Sequence, residues 1–214
     1  MIATRRLVSR AAPDRPRSRI ASTPTWPAPA LGGCVDLAIA GVGQVGVEAM
    51  RERGLSGAAR DTNLRVAINQ RWLDSGIITD NLYLQIWEGR VLVSGAVSDP
   101  RVRADAIQAA WQVEGVREVI NEVEVVERYG MRGYVRDVRT TQDINARLLL
   151  ARDIASINYS VEVVRGRAFL LGVARDEGEH QRVLSVMRGV PGVSAIADYV
   201  LLRDDPRRYN VPPA

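Results

Sequence analysis

The sequence predicts an α+β protein built from two tandem αββαβ modules, each a three-stranded sheet with two helices on one face. Three observations carry this. First, "EGRVLVSGAV" at 88–97 returns as "RGRAFLLGVA" at 165–174, an offset of 77. Second, the same offset takes Gly115 to Gly192, Val116 to Val193 and Val123 to Val200, so a strand, a helix and a strand repeat without a gap. Third, apolar residues alternate at period two in the runs read as strands and recur every three to four residues in the runs read as helices. The modules are expected at 61–127 and 138–202, with an N-terminal region at 1–60, a linker at 128–137 and a polar tail at 203–214.

Each module opens on a helix. In "TNLRVAINQRWL", Leu64, Ile68 and Trp72 fall at i, i+4 and i+8. In the second copy Ile144 and Leu148 hold the apolar face. Pairing Leu64 with Ile144 sets these helices at an offset of 80 and makes the following loop three residues longer in the first copy. A strand with Leu82, Leu84 and Ile86 comes next, matched by Tyr159, Val161 and Val163. Glu88-Gly89 and Arg165-Gly166 are two-residue hairpin turns, where glycine tolerates the positive φ such turns need. Val91 and Val93, or Ala168 and Leu170, then return to the same core. Asp99-Pro100 is a cap followed by proline at the first helical position. Val102, Ala106, Ala109, Ala110 and Val113 form the buried stripe of that helix, and Gly115 is placed to stop it. "VREVINEVEV" is the third strand. On the opposite face of the second hairpin lie Phe169 and Leu171, where the first copy has Leu92 and Ser94. Such an apolar pair demands cover, so an interface is expected there with the other module, the linker or a partner.

A chain of 214 residues, 46% hydrophobic and 25% charged, suits two small globular domains. All 29 basic residues are arginine. Residues 1–60 carry a net +5, residues 61–127 a net −5 and residues 128–214 a net +4. That split between similar modules points to different partners. With one Cys and one His, an intramolecular disulfide is impossible and a Cys/His metal site has almost no ligands to draw on. The carboxylates are scattered, no phosphate loop or nucleophile motif is present, and His180 aligns with Arg103 on a helix surface. The expectation is a protein without catalytic residues and without a cofactor.

Residues 1–33 contain six Arg and five Pro and no apolar core. They read poorly as a secretory signal, and the expectation is that the true start lies elsewhere. The stretch nevertheless ends in "LGGC", which resembles a bacterial lipobox and marks Cys34 for lipidation. The segment after it, "VDLAIAGVGQVGVEAM", is too short and interrupted to span a bilayer.

"EGRVLVSGAV…AIQAAWQVEGVREVINEVEV" resembles a BON domain, and the second copy resembles another. Two BON domains after a lipobox are similar to the division- and outer-membrane-stress-associated lipid-binding lipoproteins of Gram-negative bacteria, over about residues 34–202. The resemblance implies a lipid-anchored protein on the periplasmic face of the outer membrane. It also implies contact with anionic phospholipid through the first helix of the second module and the segment before it. Arg132, Tyr134, Arg136, Arg139, Ile144, Arg147 and Leu148 are the positions that inherit this role. Arg132, Arg136 and Arg139 share a face if the stretch is helical. Basic groups there would meet phosphates while apolar groups enter the interface. Relatives commonly read "DTWITT" where this chain reads "DVRTTQ" at 137–142, so Arg139 replaces an anchoring Trp and implies weaker, more salt-sensitive binding. The alternative partner is an envelope protein, bound by an adaptor that touches no lipid. "GMRG" at 130–133 matches the GXXG loop of KH domains, but here it joins two modules rather than two helices of one fold, so nucleic acid is not expected.

Overall fold

The computed structural model describes residues 54–77 and 81–209. Cys34 and the other expectations for residues 1–53 lie outside the described residues. The elements run α1 (Gly54–Asp74), β1 (Leu82–Trp87), β2 (Arg90–Val97), α2 (Pro100–Trp111), β3 (Glu118–Val125), α3 (Met131–Leu150), β4 (Tyr159–Val164), β5 (Arg167–Ala174), α4 (Glu177–Arg188) and β6 (Ala195–Leu202). Short 3-10 turns at Ser156–Asn158 and Pro206–Arg208 complete the order. There are two three-stranded sheets, β1-β2-β3 and β4-β5-β6. In each, the hairpin is antiparallel and the last strand runs parallel to the central one. A parallel return needs a crossover, which α2 and α4 supply.

Each sheet buries one face under its two helices. Leu64, Ile68, Trp72, Val91, Val93, Ala106 and Val113 belong to the first core. Ile144, Leu148, Ala168, Leu170, Val183 and Val190 belong to the second. Both hairpin turns place their two residues at positive φ: Glu88 at 52° and Gly89 at 75°, Arg165 at 52° and Gly166 at 79°. Glycine adopts this freely, but Glu88 and Arg165 do not. An aspartate from the first helix holds each turn in place. Asp61 accepts from Glu88 N at 2.9 Å and Gly89 N at 3.0 Å. Asp137 accepts from the Arg165 amide and from Gly166 N at 3.2 Å. Gly95 and Gly172 are required for a different reason: a Cβ there would lie 2.0 Å from Asn81 O or 2.2 Å from Asn158 O.

The aspartates correct the helix register. Asp61 and Asp137 do the same work at an offset of 76, not 80. Gly115 faces Leu64, and its counterpart Gly192 faces Thr140, which is again 76 apart on the helices. So Ile68 corresponds to Ile144 and Trp72 to Leu148, and the loop is one residue longer in the second copy. The two offsets differ by four residues, close to one helical turn, so an apolar stripe superposes on itself under either.

Other boundaries also move. α1 begins at Gly54, ahead of residue 61, and α3 begins at Met131, so the segment read as a linker forms the first turns of a 20-residue helix. α2 is capped by Asp99, which accepts from Arg101 N, but it ends at Trp111 with Gln112 as its C-cap. Gly115 lies in the turn beyond, not at the helix end. His180 is not bare surface: its Nε2 lies 2.7 Å from Asp198 Oδ2 and its Nδ1 3.8 Å from Glu177.

The faces of the two sheets turned away from the helices meet each other. Trp87, Leu92, Ala96, Val164, Phe169, Leu171, Val173 and Ala197 form a third buried cluster drawn from both modules. β1 touches β5 and β2 touches β4.

Candidate functional site

α3 has two faces with different chemistry. Asp137, Thr140, Ile144 and Leu148 point inward and are buried. Ile144 and Leu148 were expected at a lipid surface; they are 0% and 2% exposed and belong to the second core. The helix needs them there, because its inner stripe is what attaches it to β4 and β5. The apolar groups on the outside are others. Met131 is 74% exposed and Leu150 82%, with Val135 and Leu149 also open.

The predicted arginines sit beside this apolar stripe. Arg132, Arg136, Arg139 and Arg147 are exposed, while Tyr134 is half-buried. Met131, Arg132, Val135, Arg136 and Arg139 line one shallow concavity. Among the described residues Arg132 and Arg139 have no carboxylate partner, and Arg136 lies 3.9 Å from the buried Asp137. Arg147 is different. Its Nε sits 2.9 Å from Asp143, whose hydrogen bond and charge raise the pKa of the guanidinium, so much of its charge is answered locally.

Phe169 and Leu171 are fully buried in the seam between the modules. Removing such side chains from water contributes about 1.5–3 kcal/mol each. Ion pairs ring this apolar centre. Arg167 lies 3.1 Å from Glu122, and Arg165 pairs with Glu124. Arg90 donates to Tyr199 O at 2.9 Å, and the Tyr199 hydroxyl bonds Glu122. In the described part of the expected tail, residues 203–209, Arg208 is buried and grips Glu88 at 2.6 and 3.0 Å. Arg117 donates to the Arg207 and Arg208 carbonyls at 2.9 and 3.1 Å. Partly exposed pairs of this kind are worth about 0–1 kcal/mol each, so apolar burial dominates the seam and the charges fix its register. Part of the −5/+4 split is therefore answered inside the chain.

The chain matches the BON domain over residues 60–127 and 136–204. It belongs to the BON-domain family. Two BON domains stand in tandem, and the matched ranges coincide with the two sheets and their helices. An uncharacterized protein in the gshII 5' region of Anaplasma centrale is 32% identical over 144 residues, 67% of this chain and 95% of that one. Osmotically-inducible protein Y of Escherichia coli is 30% identical over 108 residues, 50% of this chain and 54% of that one. Outer membrane lipoprotein DolP of Haemophilus influenzae is 30% identical over 86 residues, 40% of this chain and 45% of that one. The match thus spans about half the length of the last two relatives.

Periodicity alone did not reveal Asp61, Asp137, Met131, Val135, Leu149 or Leu150. The aspartates had a signal: both follow an arginine and precede the same "IN" by seven residues. Among the described residues no group of three His, Cys, Asp or Glu side chains converges as a metal site, and no helix is long and apolar enough to cross a membrane.

Proposed function

We propose that this chain is a non-enzymatic cell-envelope protein whose second BON domain docks on anionic phospholipid and supports outer-membrane integrity. The observation that carries the reading is the outer face of α3. There the exposed Met131 and Val135 line one concavity with Arg132, Arg136 and Arg139, and Leu149 and Leu150 are exposed at the other end of the helix. Arginines meet phosphate oxygens at the headgroup level, and the apolar side chains enter the layer beneath. Met131 and Val135 take the place left by the missing Trp. Each basic residue near such a surface contributes about 1 kcal/mol, so three give millimolar-scale attachment at best and a covalent anchor is needed. Cys34 in "LGGC" is the proposed anchor, and the likeness to an outer membrane lipoprotein supports that location.

Co-sedimentation of the full chain with phosphatidylglycerol or phosphatidylcholine vesicles at low and physiological salt tests this. Preference for the anionic vesicles, lost in the Arg132→Glu/Arg136→Glu double variant, is the expected result. Equal binding to both would sink the reading. A protein adaptor is then the replacement, favoured by the exposed Val66, Leu73 and Trp111 on the helices of the first module.

A further inference from the structure

The last strand of each sheet is an open edge. Among the described residues β3 pairs only with β2, and β6 only with β5. In a parallel ladder alternate amides of an edge strand point toward its partner and the others point away. Just beyond the two registers, Val126 N donates to Val97 O and Arg203 N to Ala174 O. Alternation from these points puts the amides of Val123 and Val200 on the outward side. Amides of that kind are a template for another strand. Neither is left open. Val123 N donates to Asn121 Oδ1 and Val200 N to Asp198 Oδ1, each at 3.1 Å. Asn121 and Asp198 are related by the repeat offset of 77, so each sheet closes its edge with a short side chain folded back on the amide two residues on.

The two edges differ in what else protects them. β3, "EVINEVEV", carries Glu118, Glu122 and Glu124, which repel a like strand. β6, "AIADYVLL", carries a single charge, Asp198, and no proline. Its other residues suit a strand and do nothing to keep a second one away. Protection of β6 therefore falls on Asp198, and that carboxylate has a second hold. Its Oδ2 lies 2.7 Å from Nε2 of His180 on α4. His180 is the one histidine of the sequence, and its other ring nitrogen lies 3.8 Å from Glu177. With Oδ2 engaged by the ring, turning the carboxyl group away from Val200 N breaks a second hydrogen bond as well as the first.

We propose that Asp198, positioned by His180, is an edge guard that keeps β6 from pairing with β6 of a second copy of this chain. A second copy is the occupant this edge fits. Antiparallel pairing about a two-fold axis lets each strand answer the outward amides and carbonyls of the other. β3 is denied the same pairing by its glutamates, which would meet glutamates. The guard acts through the hydrogen bond to Val200 N, so an amide acceptor serves as well as a carboxylate, as Asn121 does on β3. The guard stands independently of the membrane reading.

Sedimentation velocity of the full chain across the micromolar range tests it. The unaltered chain should stay monomeric. Asp198→Ala should self-associate, its mass moving toward twice the monomer value as concentration rises. Asp198→Asn keeps the acceptor and should stay monomeric. His180→Ala should associate, but more weakly than Asp198→Ala. In dilute solution, where every variant is a monomer, NMR-detected exchange of the Val200 amide should be several-fold faster in Asp198→Ala than in the unaltered chain. A monomeric Asp198→Ala at every concentration, association that is the same with and without Asp198, or equal Val200 exchange would each overturn the guard. Association of Asp198→Asn would overturn the hydrogen bond as its means, and a monomeric His180→Ala would overturn the positioning role of the histidine.

Discussion

α1 and α3 are the same helix made twice, and they differ in the arginines of their outer faces. Aligned at 76, "RDTNLRVAINQRWL" and "RDVRTTQDINARLL" share Arg60/Arg136, Asp61/Asp137, Ile68/Ile144, Asn69/Asn145, Arg71/Arg147 and Leu73/Leu149. Two of these pairs, Asp61/Asp137 and Ile68/Ile144, face inward and have fixed tasks, while the other four are exposed in both helices. The aspartate holds a hairpin turn, and the isoleucine, 0% exposed in both copies, seats the helix on its sheet. The outer face is kept at those four positions and diverges at others. Ser56 corresponds to Arg132 and Asn63 to Arg139, while Arg65 of α1 turns inward to donate to Leu84 O. Arg132 and Arg139 distinguish the outer face of α3 from that of α1.

The comparison can be broken at its strongest point first. Ile68→Ala and Ile144→Ala should each cost about 2–5 kcal/mol in urea melts. If only one of them does, the two helices are not equivalent at this position. Gly95→Ala and Gly172→Ala should cost about 3 kcal/mol each, because the new Cβ collides with a backbone carbonyl that cannot swing aside. Asp61→Ala and Asp137→Ala sharpen the register. Each strands two turn amides and should cost about 1.5–3 kcal/mol, with Asp137 the costlier because it also orders Tyr129. Under an offset of 80 only one of the pair would matter.

The next effect is confined to the second module. Its Glu162 has no acidic counterpart, since Gln85 occupies the equivalent position. A carboxyl raised to about 7 contributes stability that is complete below about 4.5 and lost as pH rises through 7. The thermal midpoint should therefore fall between pH 5 and pH 7.5, by the equivalent of about 2 kcal/mol, and Glu162→Gln should flatten the curve. The depressed carboxylates Asp176, Glu179 and Asp205 act below this window, losing stability only in acid. The smallest expected change is on the outer face. Ser56→Arg with Asn63→Arg should alter stability by less than about 0.5 kcal/mol while giving the first module affinity for anionic vesicles.

The repeat made most of the fold legible. Hairpins, crossover helices and both inner cores follow from glycine spacing and alternation, because those features are local. The register of the first helices was harder, since an apolar stripe cannot distinguish shifts near one turn; the "RD" and "IN" matches could have settled it. Phe169 and Leu171 stood out as an apolar excess on an outer strand face. Of the covers expected for them, the other module, the linker or a partner, it is the other module that closes over them; the Glu88–Arg208 pair was not legible, because 120 residues separate the two and no periodic signal links them. On α3 the arginines were legible from spacing, whereas choosing Ile144 and Leu148 over Met131 and Val135 required knowing which way the helix is turned.

The crossed contacts of the seam have a consequence for assembly. Arg90 reaches residue 199 and Arg167 reaches residue 122, and both members of these pairs are related by the repeat offset of 77. That is the reciprocity a two-fold interface shows, here held within one chain. Arg165 meets Glu124 across the seam, and its equivalent in the first half is Glu88. Two first halves brought together the same way would set Glu88 against Glu124, acid against acid. The unlike charges at this position thus favour pairing a first half with a second half over pairing two first halves.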